Sequence, residues 1–133
     1  MKYALDANTL SFWIRGDVIV ADKIKDEIKK GNTLVIPPSV YYEVQRGFKH
    51  KSAPRKERVF SLICESYGIE DMSFESWKEA AEIYAHSRKI GRPIEDSDIL
   101  IAAFCIINDC TLVTNNTKHF DNIDSLDVED WSI

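Results

Sequence analysis

Three carboxylates and one amide, widely spaced along the chain, are the side chains whose types could do chemistry together. Each lies close to an end of an apolar run, where a strand or a helix is expected to begin or end. Carboxylates gathered in one place repel one another and hold protons unless a cation lies among them. Their oxygen atoms favour Mg²⁺ or Mn²⁺ over Zn²⁺, and such a cation can activate water and stabilise charge on a phosphodiester. The four residues are Asp6, Glu43, Asp98 and Asn116.

The apolar runs around these residues predict parallel strands joined by helices. Parallel strands place their carboxyl ends at one edge of a sheet, and α/β proteins bind ligands just outside that edge. We therefore expect Asp6, Glu43 and Asn116 to share the edge, and Asp98 to reach it from the start of a buried helix. The predicted strands are residues 3–5, 33–36, 111–114 and 126–128, with a short one at Ile69. The predicted helices are residues 10–14, 18–30, 54–65 and 99–107, with one more capped by Ser39 and a long one capped by Ser73 that runs to about Ile90.

Each acid also has a purely structural interpretation. Asp6 could cap the following helix or form an Asx-turn, and for this residue alone the two interpretations are equally favoured. Glu43 could lie on a solvated helix face, although its sequence neighbours are apolar. Asp98 could simply complement the dipole at the start of its helix.

Asp96 and Asp98 are expected to play different parts, although only one residue separates them. Two positions along a helix are about 200° apart around its axis, so both side chains cannot face one point. We expect Asp98 in the first turn and Asp96 at or just before the N-cap, where it accepts backbone hydrogen bonds.

A basic, polar stretch covers residues 48–58. Its functional interpretation is a ridge that contacts phosphates, and the alternative is an ordinary solvated surface. The candidate nucleic-acid-binding residues of this ridge are Lys49, Lys51, Arg55 and Lys56.

Composition limits the class of protein further. The 133 residues predict one domain, residues 1–133, and the net charge of −5 argues against a protein that coats nucleic acid by bulk charge. No apolar run approaches the length of a membrane span, and the first residues lack the pattern of a signal peptide, so no membrane association and a cytoplasmic location are expected. The three cysteines are expected to be reduced thiols, with Cys64 and Cys105 in the core.

Four blocks of the sequence share their order and spacing with a known family. They are Asp-Ala-Asn at residues 6–8, Glu43 after the turn Pro-Pro-Ser, Asp-Ile-Leu-Ile-Ala-Ala at residues 98–103, and Leu-Val-Thr-Asn-Asn-Thr-Lys-His-Phe at residues 112–120. Together they resemble the PIN domain, most closely the VapC-type toxins of bacterial toxin–antitoxin pairs. One block alone would be weak evidence, but the four cover essentially the whole chain.

The resemblance implies a fold, an activity and partners. The implied fold is α/β, a PIN-like three-layer α/β/α sandwich with a parallel sheet of about five strands. The implied activity is that of a Mg²⁺-dependent endoribonuclease, with Mn²⁺ able to substitute and with tRNA or another structured RNA as substrate. The implied partners are a VapB-like antitoxin, whose C-terminal segment blocks the site, and a second copy of the chain in a homodimer.

The resemblance also assigns roles to residues by position. It implies that Asp6, Glu43 and Asp98 form the acidic metal site. Asn116 stands where many members carry a fourth Asp, and because Asn brings no charge, the binding of one or two metal ions stays open. For Lys118 and His119 both a site role and a surface role stay open. The implied supporting residues are a further acid and two small polar residues that hydrogen-bond around the site: Asp96, Asn8 and Thr114.

Two other functions compete with the nuclease. A catalytically weak PIN module that binds RNA or a partner protein is supported by Asn116 and by the acidic net charge. A haloacid-dehalogenase or receiver-type phosphotransfer domain is disfavoured, because the dehalogenases carry a second Asp two residues after the nucleophile and this chain has Asn8 there.

Overall fold

The computed structural model describes residues 1–133, which form a parallel sheet and six α-helices. The α/β fold class predicted from the sequence is confirmed. The strands are β1 Lys2–Leu5, β2 Thr33–Val35, β3 Thr111–Val113 and β4 Val128–Glu129. The helices are α1 Ala7–Ile14, α2 Val18–Lys29, α3 Pro38–His50, α4 Pro54–Tyr67, α5 Phe74–Lys89 and α6 Asp96–Ile107, with a 3₁₀ turn at Thr117–Phe120.

The sheet has four strands in the order β2-β1-β3-β4, and all neighbouring strands are parallel. The expectation of about five strands was wrong by one. Ile69 makes only an isolated parallel bridge to Ile36. Because 41% of its surface is exposed, burial of its side chain contributes little free energy towards extending this bridge into a strand. The strands β1 and β3 lie at the centre, so the residues that follow them start at the middle of the carboxyl edge.

The core lies between the sheet and the helices, and α6 runs through it. Ala102, Ala103, Phe104 and Cys105 of this helix are fully buried, as its nearly continuous apolar sequence predicts. Cys64 is only half-buried and packs against the outside of this core. The buried helix gives the site a rigid wall, because it packs against α5, α3 and β3.

Three helices begin at different residues from those predicted: α6 begins at Asp96 rather than at residue 99, and α1 and α3 differ because of local capping. Helix α1 begins at Ala7 because the side chain of Asp6 accepts a hydrogen bond from the Thr9 amide. Helix α3 begins at Pro38 with Pro37 at its N-cap, so Ser39 does not cap it. The Ser39 hydroxyl is buried without a hydrogen-bond partner. Proline suits the first helical position, because its missing N–H has no partner there in any case.

A buried carboxylate on α2 stabilises the fold away from the carboxyl edge. Glu27 is only 3% exposed and accepts hydrogen bonds from Asn32 at 2.7 Å and from Lys30 at 3.4 Å. It also pairs with Lys23 at 3.0 Å. These bonds lower the pKa of Glu27 to about 2, and the hydrogen bond from Lys23 contributes most.

We expect Glu27→Gln to lower the free energy of unfolding by about 2 kcal/mol at pH 7. The folded pKa of about 2 lies below the ordinary value of 4.5, so this stability is complete above pH 4.5 and is lost as the pH falls towards 2. Urea unfolding at several pH values should show the difference from the unmodified chain shrinking over that interval. Asp26→Asn is the control, because Asp26 is an exposed carboxylate on the same helix. An equal loss in both variants would contradict the buried ion pair.

The helices of this structure are too short or too polar for any of them to cross a membrane.

Candidate active site

A cavity of about 190 Å³ opens at the carboxyl edge of the sheet. It lies where β1 and β3 end and where α3 and α6 begin. The structure therefore brings together the side chains that the sequence singled out from four distant segments. The predicted residues that line it are Asp6, Asn8, Glu43, Asp98 and Asn116.

Asp6 caps α1 and also lines the cavity, so neither interpretation that the sequence left open excludes the other. Its backbone amide continues the ladder of β1 by donating to the Val113 carbonyl at 3.0 Å. Its Oδ1 accepts the Thr9 amide of α1 at 2.7 Å, which caps the helix. The cap hydrogen bond uses one carboxylate oxygen and leaves the second without a protein donor, so capping and cation binding are compatible.

Glu43 reaches the cavity from the second turn of α3. Burial raises the pKa of its carboxyl group, and the Arg46 guanidinium opposes this rise. The neighbouring charges of Asp98 and Asp6 raise the pKa further. The three carboxylates therefore repel one another, as expected of a cavity in which several negative charges lie close together without a bound cation.

Asp98 lies in the first turn of α6 and pairs with a histidine. Its Oδ2 lies 3.2 Å from Nδ1 of His119, and its side chain is 26% exposed. Burial raises the pKa of Asp98, the contact with His119 lowers it, and the charges of Glu95 and Asp6 raise it. Asp98 is thus less solvated than an ordinary surface aspartate.

The loop after β3 is held by short polar side chains. The Thr114 hydroxyl is fully buried and accepts the Asn116 amide at 3.0 Å. Asn8 at the start of α1 donates to Oδ1 of Asn115 at 3.3 Å. These contacts fix the position of Asn116, which lines the cavity with an amide side chain.

Two further polar residues line the cavity: Glu95, which the sequence did not select, and His119, for which both a site role and a surface role were open. Glu95 is the N-cap of α6 and lines the cavity. His119 joins it through Asp98. The sequence context marks both residues, since Glu95 belongs to the acidic run before the helix and His119 to the last matched block. That context does not predict in which direction either side chain points.

Asp96 does not line the cavity. It is the first residue of α6, one position after the cap that was predicted for it, and it is exposed. The side chain of Asp98, two residues on, faces the cavity. This agrees with the rotation of about 200° between the two positions.

The basic run of residues 48–58 lies outside the acidic cavity, since none of its residues lines it. Lys49 forms an ion pair with Glu57 at 3.3 Å. Arg55 and Lys56 line a different cavity next to Ile14 and Val59. The role of these residues and of Lys51 in RNA binding remains a prediction.

The donor set of the acidic cavity suits a hard divalent cation. Its carboxylates offer only oxygen atoms, and burial together with the neighbouring carboxylates raises the pKa values of Glu43 and Asp98. No three His, Cys, Asp or Glu side chains converge tightly enough to hold a metal ion directly. The arrangement suits Mg²⁺, which keeps several of its waters and takes only one or two carboxylates as direct ligands.

Fold and cavity together define an α/β protein with an acidic cavity at the carboxyl edge of a parallel sheet. The family model described as PIN domain matches residues 3–126, and the chain belongs to this family.

Relatives and solved structures narrow the similarity to one branch of the family. Ribonuclease VapC2 of Rickettsia felis is 30% identical over 132 residues, covering 98% of both chains. A crystal structure of VapBC2 from Rickettsia felis, bound to a DNA fragment from its promoter, contains a chain with a TM-score of 0.90 and 28% identity, covering 98% of this chain and 99% of that one. The tRNA(fMet)-specific endonuclease VapC of Shigella flexneri is 23% identical, covering 99% of both chains.

Proposed function

We propose that this chain is a divalent-metal-dependent endoribonuclease toxin of the VapC type. The observation that carries the proposal is the convergence of Asp6, Glu43 and Asp98 on one cavity at the carboxyl edge of the sheet. The similarity to proteins named ribonuclease VapC supports the same activity. The expectation that Mg²⁺ is the cofactor and that Mn²⁺ can replace it follows from the oxygen-only donor set.

The residues of the cavity would have different roles in phosphodiester hydrolysis. Asp6, Glu43 and Asp98 would hold the cation, one or two of them directly and the rest through its waters. A divalent cation bound there supplies the positive charge that lowers the pKa of a water and offsets charge on the phosphate. Asn116, held through Thr114, offers an amide that can orient a water or a phosphate oxygen. His119 keeps Asp98 turned towards the cavity.

We further propose the substrate class and the partners. The substrate is a structured RNA, and tRNA is the first choice because a relative is named for cleaving tRNA(fMet). A VapB-like antitoxin neutralises the chain, by analogy with the VapBC complex to which the fold is similar. The toxin acts in the cytoplasm as a homodimer.

The activity can be tested on the purified chain with total tRNA as substrate. We expect discrete cleavage products with Mg²⁺ or Mn²⁺ and none with EDTA, resolved on denaturing gels. An Asp6→Asn preparation purified in parallel controls for contaminating nuclease. Cleavage that persists in EDTA, or that is equal in both preparations, would contradict the proposal.

The second candidate is a catalytically weak PIN module that binds RNA or a partner protein. Asn116 favours it, because an amide stands where many members of the family carry a carboxylate. The same tRNA experiment distinguishes the two functions. Retention of RNA without products at any Mg²⁺ or Mn²⁺ concentration would favour the binding module.

A further inference from the structure

A second cavity, of about 290 Å³, adjoins the acidic one. Glu95, Asp98 and His119 line both cavities and form their common wall. The side chains that line only the second cavity include two cations and an amide: Arg92, Lys118 and Asn122. We call this second space the basic cavity. The two cavities meet at the common wall, so cationic groups lie immediately beside the acidic site.

Arg92 is held in the basic cavity by a rigid turn at the end of α5. Gly91 adopts a φ of 73°, a left-handed conformation that ends the helix at little cost for glycine. The Arg92 amide then donates to the Ser87 carbonyl at 2.9 Å. Its guanidinium donates to Oδ1 of Asn122 at 3.2 Å. A guanidinium has five N–H groups, so most of its donors stay available to a ligand.

Lys118 reaches the basic cavity from the 3₁₀ turn that follows Asn116. The turn is anchored by Phe120, which is 3% exposed, and by a hydrogen bond from the His119 amide to the Asn116 carbonyl at 3.0 Å. The same short turn therefore presents Asn116 to the acidic cavity and Lys118 to the basic one.

Neither cation forms an ion pair within the protein. No carboxylate lies within 4.0 Å of Arg92 or Lys118, although Glu95 and Asp98 line the same cavity. Lys49 of the basic run, by contrast, is paired with Glu57 at 3.3 Å. Unpaired cations on rigid turns are available for charge-assisted hydrogen bonds to an external anion.

We propose that Arg92 and Lys118 form a phosphate subsite, which binds the RNA backbone phosphate next to the one being cut. This inference rests on the proposed function, because it takes the acidic cavity as the place of cleavage. The common wall places the two phosphates in neighbouring cavities, and the fork of Arg92 matches two phosphate oxygens. The subsite sets the direction of the RNA across the site, with Asn122 positioning Arg92.

Binding of RNA without the metal tests the cations apart from catalysis. The titration uses fluorescein-labelled total tRNA in EDTA, followed by anisotropy between 50 and 250 mM KCl. We expect the double variant Arg92→Gln/Lys118→Gln to bind about tenfold more weakly at 100 mM salt and to lower the slope of log K against log[salt] by about 1.5. Lys25→Gln/Lys29→Gln on α2 removes the same charge from exposed positions outside both cavities, and we expect an unchanged slope.

A neutral linkage in the RNA locates the contact. Once the cut has been mapped, a synthetic RNA with one methylphosphonate beside the cut phosphate removes a single negative charge. We expect this change to raise KM about fivefold for the unmodified chain and to leave KM unchanged for the double variant. The effects of the double variant and of the methylphosphonate on KM should not add, because both changes remove the same contact.

The outcomes separate the subsite from the function on which it rests. A chain that binds tRNA but never cuts it with Mg²⁺ or Mn²⁺ would contradict the proposed nuclease. A chain that cuts normally, with equal salt slopes for the two double variants or with additive losses on the methylphosphonate RNA, would contradict only the subsite.

Discussion

Asp98→Asn is expected to lower RNA cleavage at least about 1000-fold, whereas Asp96→Asn is expected to keep it within about threefold. Both changes replace a carboxylate in the first turn of α6 by an amide of the same shape. Only the Asp98 side chain faces the acidic cavity, where it contacts His119. Asp96 is exposed, and its charge contributes mainly to the dipole of the helix.

The pair should be measured on one RNA over a full Mg²⁺ titration. A loss of cleavage rate that is caused by weaker metal binding shrinks as the Mg²⁺ concentration rises. The rates at saturating Mg²⁺ therefore report the part that each carboxylate plays in catalysis itself. Thermal unfolding of both variants should lie within a few degrees of that of the unmodified chain, since neither residue supplies a side-chain cap for α6 and each change removes only one charge near the helix N-terminus. If Asp96→Asn were as inactive as Asp98→Asn at saturating Mg²⁺, Asp96 would be a primary acid of the site.

Asp6→Asn and Asp6→Ala are expected to abolish cleavage equally and to differ in stability. Both remove the charge, so we expect a loss of at least about 1000-fold in each. Asn still accepts the Thr9 amide and caps α1, whereas Ala leaves that amide without its partner and lowers the free energy of unfolding by about 1 kcal/mol. From the sequence alone, relief of repulsion suggested unchanged or higher stability for Asp6→Ala, and the observed cap reverses this expectation.

Asp17 provides the matched control for this separation of roles. It caps α2 by accepting the Val20 amide at 3.1 Å and does not line the acidic cavity. We expect Asp17→Ala to lose about 1 kcal/mol of stability while RNA cleavage is retained. Denaturant unfolding and cleavage rates measured on all three variants would test the assignment. Full cleavage by a folded Asp6→Asn chain would exclude Asp6 from the metal site.

The sequence predicted well those parts of the structure that depend on local pattern. The buried helix α6 follows from its nearly continuous apolar residues, and the cap at Ser73 from a hydroxyl before a helical run. The start of α3 was less predictable, because Pro37-Pro38 and Ser39 both favour a helix start. In the structure Pro37 is the N-cap and Pro38 is the first helical residue, so the helix begins before Ser39. The strand at Ile69 was over-predicted, since pattern alone does not reveal that only one bridge forms.

The sequence by itself determined which residues gather at the carboxyl edge. In a parallel sheet every strand ends on the same side, so Asp6 and Asn116 had to meet there wherever the intervening helices run. The resemblance carried by four short blocks then named the family, because their order and spacing rarely coincide by chance.

Only the tertiary structure decided the directions of the side chains around that edge. It turned Asp98 and Glu95 into the cavity and left Asp96 outside, because a rotation of about 100° per residue makes facing depend on where the helix begins and how it packs. It also placed Arg92 and Lys118 in one cavity, although 25 residues lie between them in the sequence. Such a neighbourhood arises from the packing of α5, α6 and the 3₁₀ turn, which no local pattern encodes.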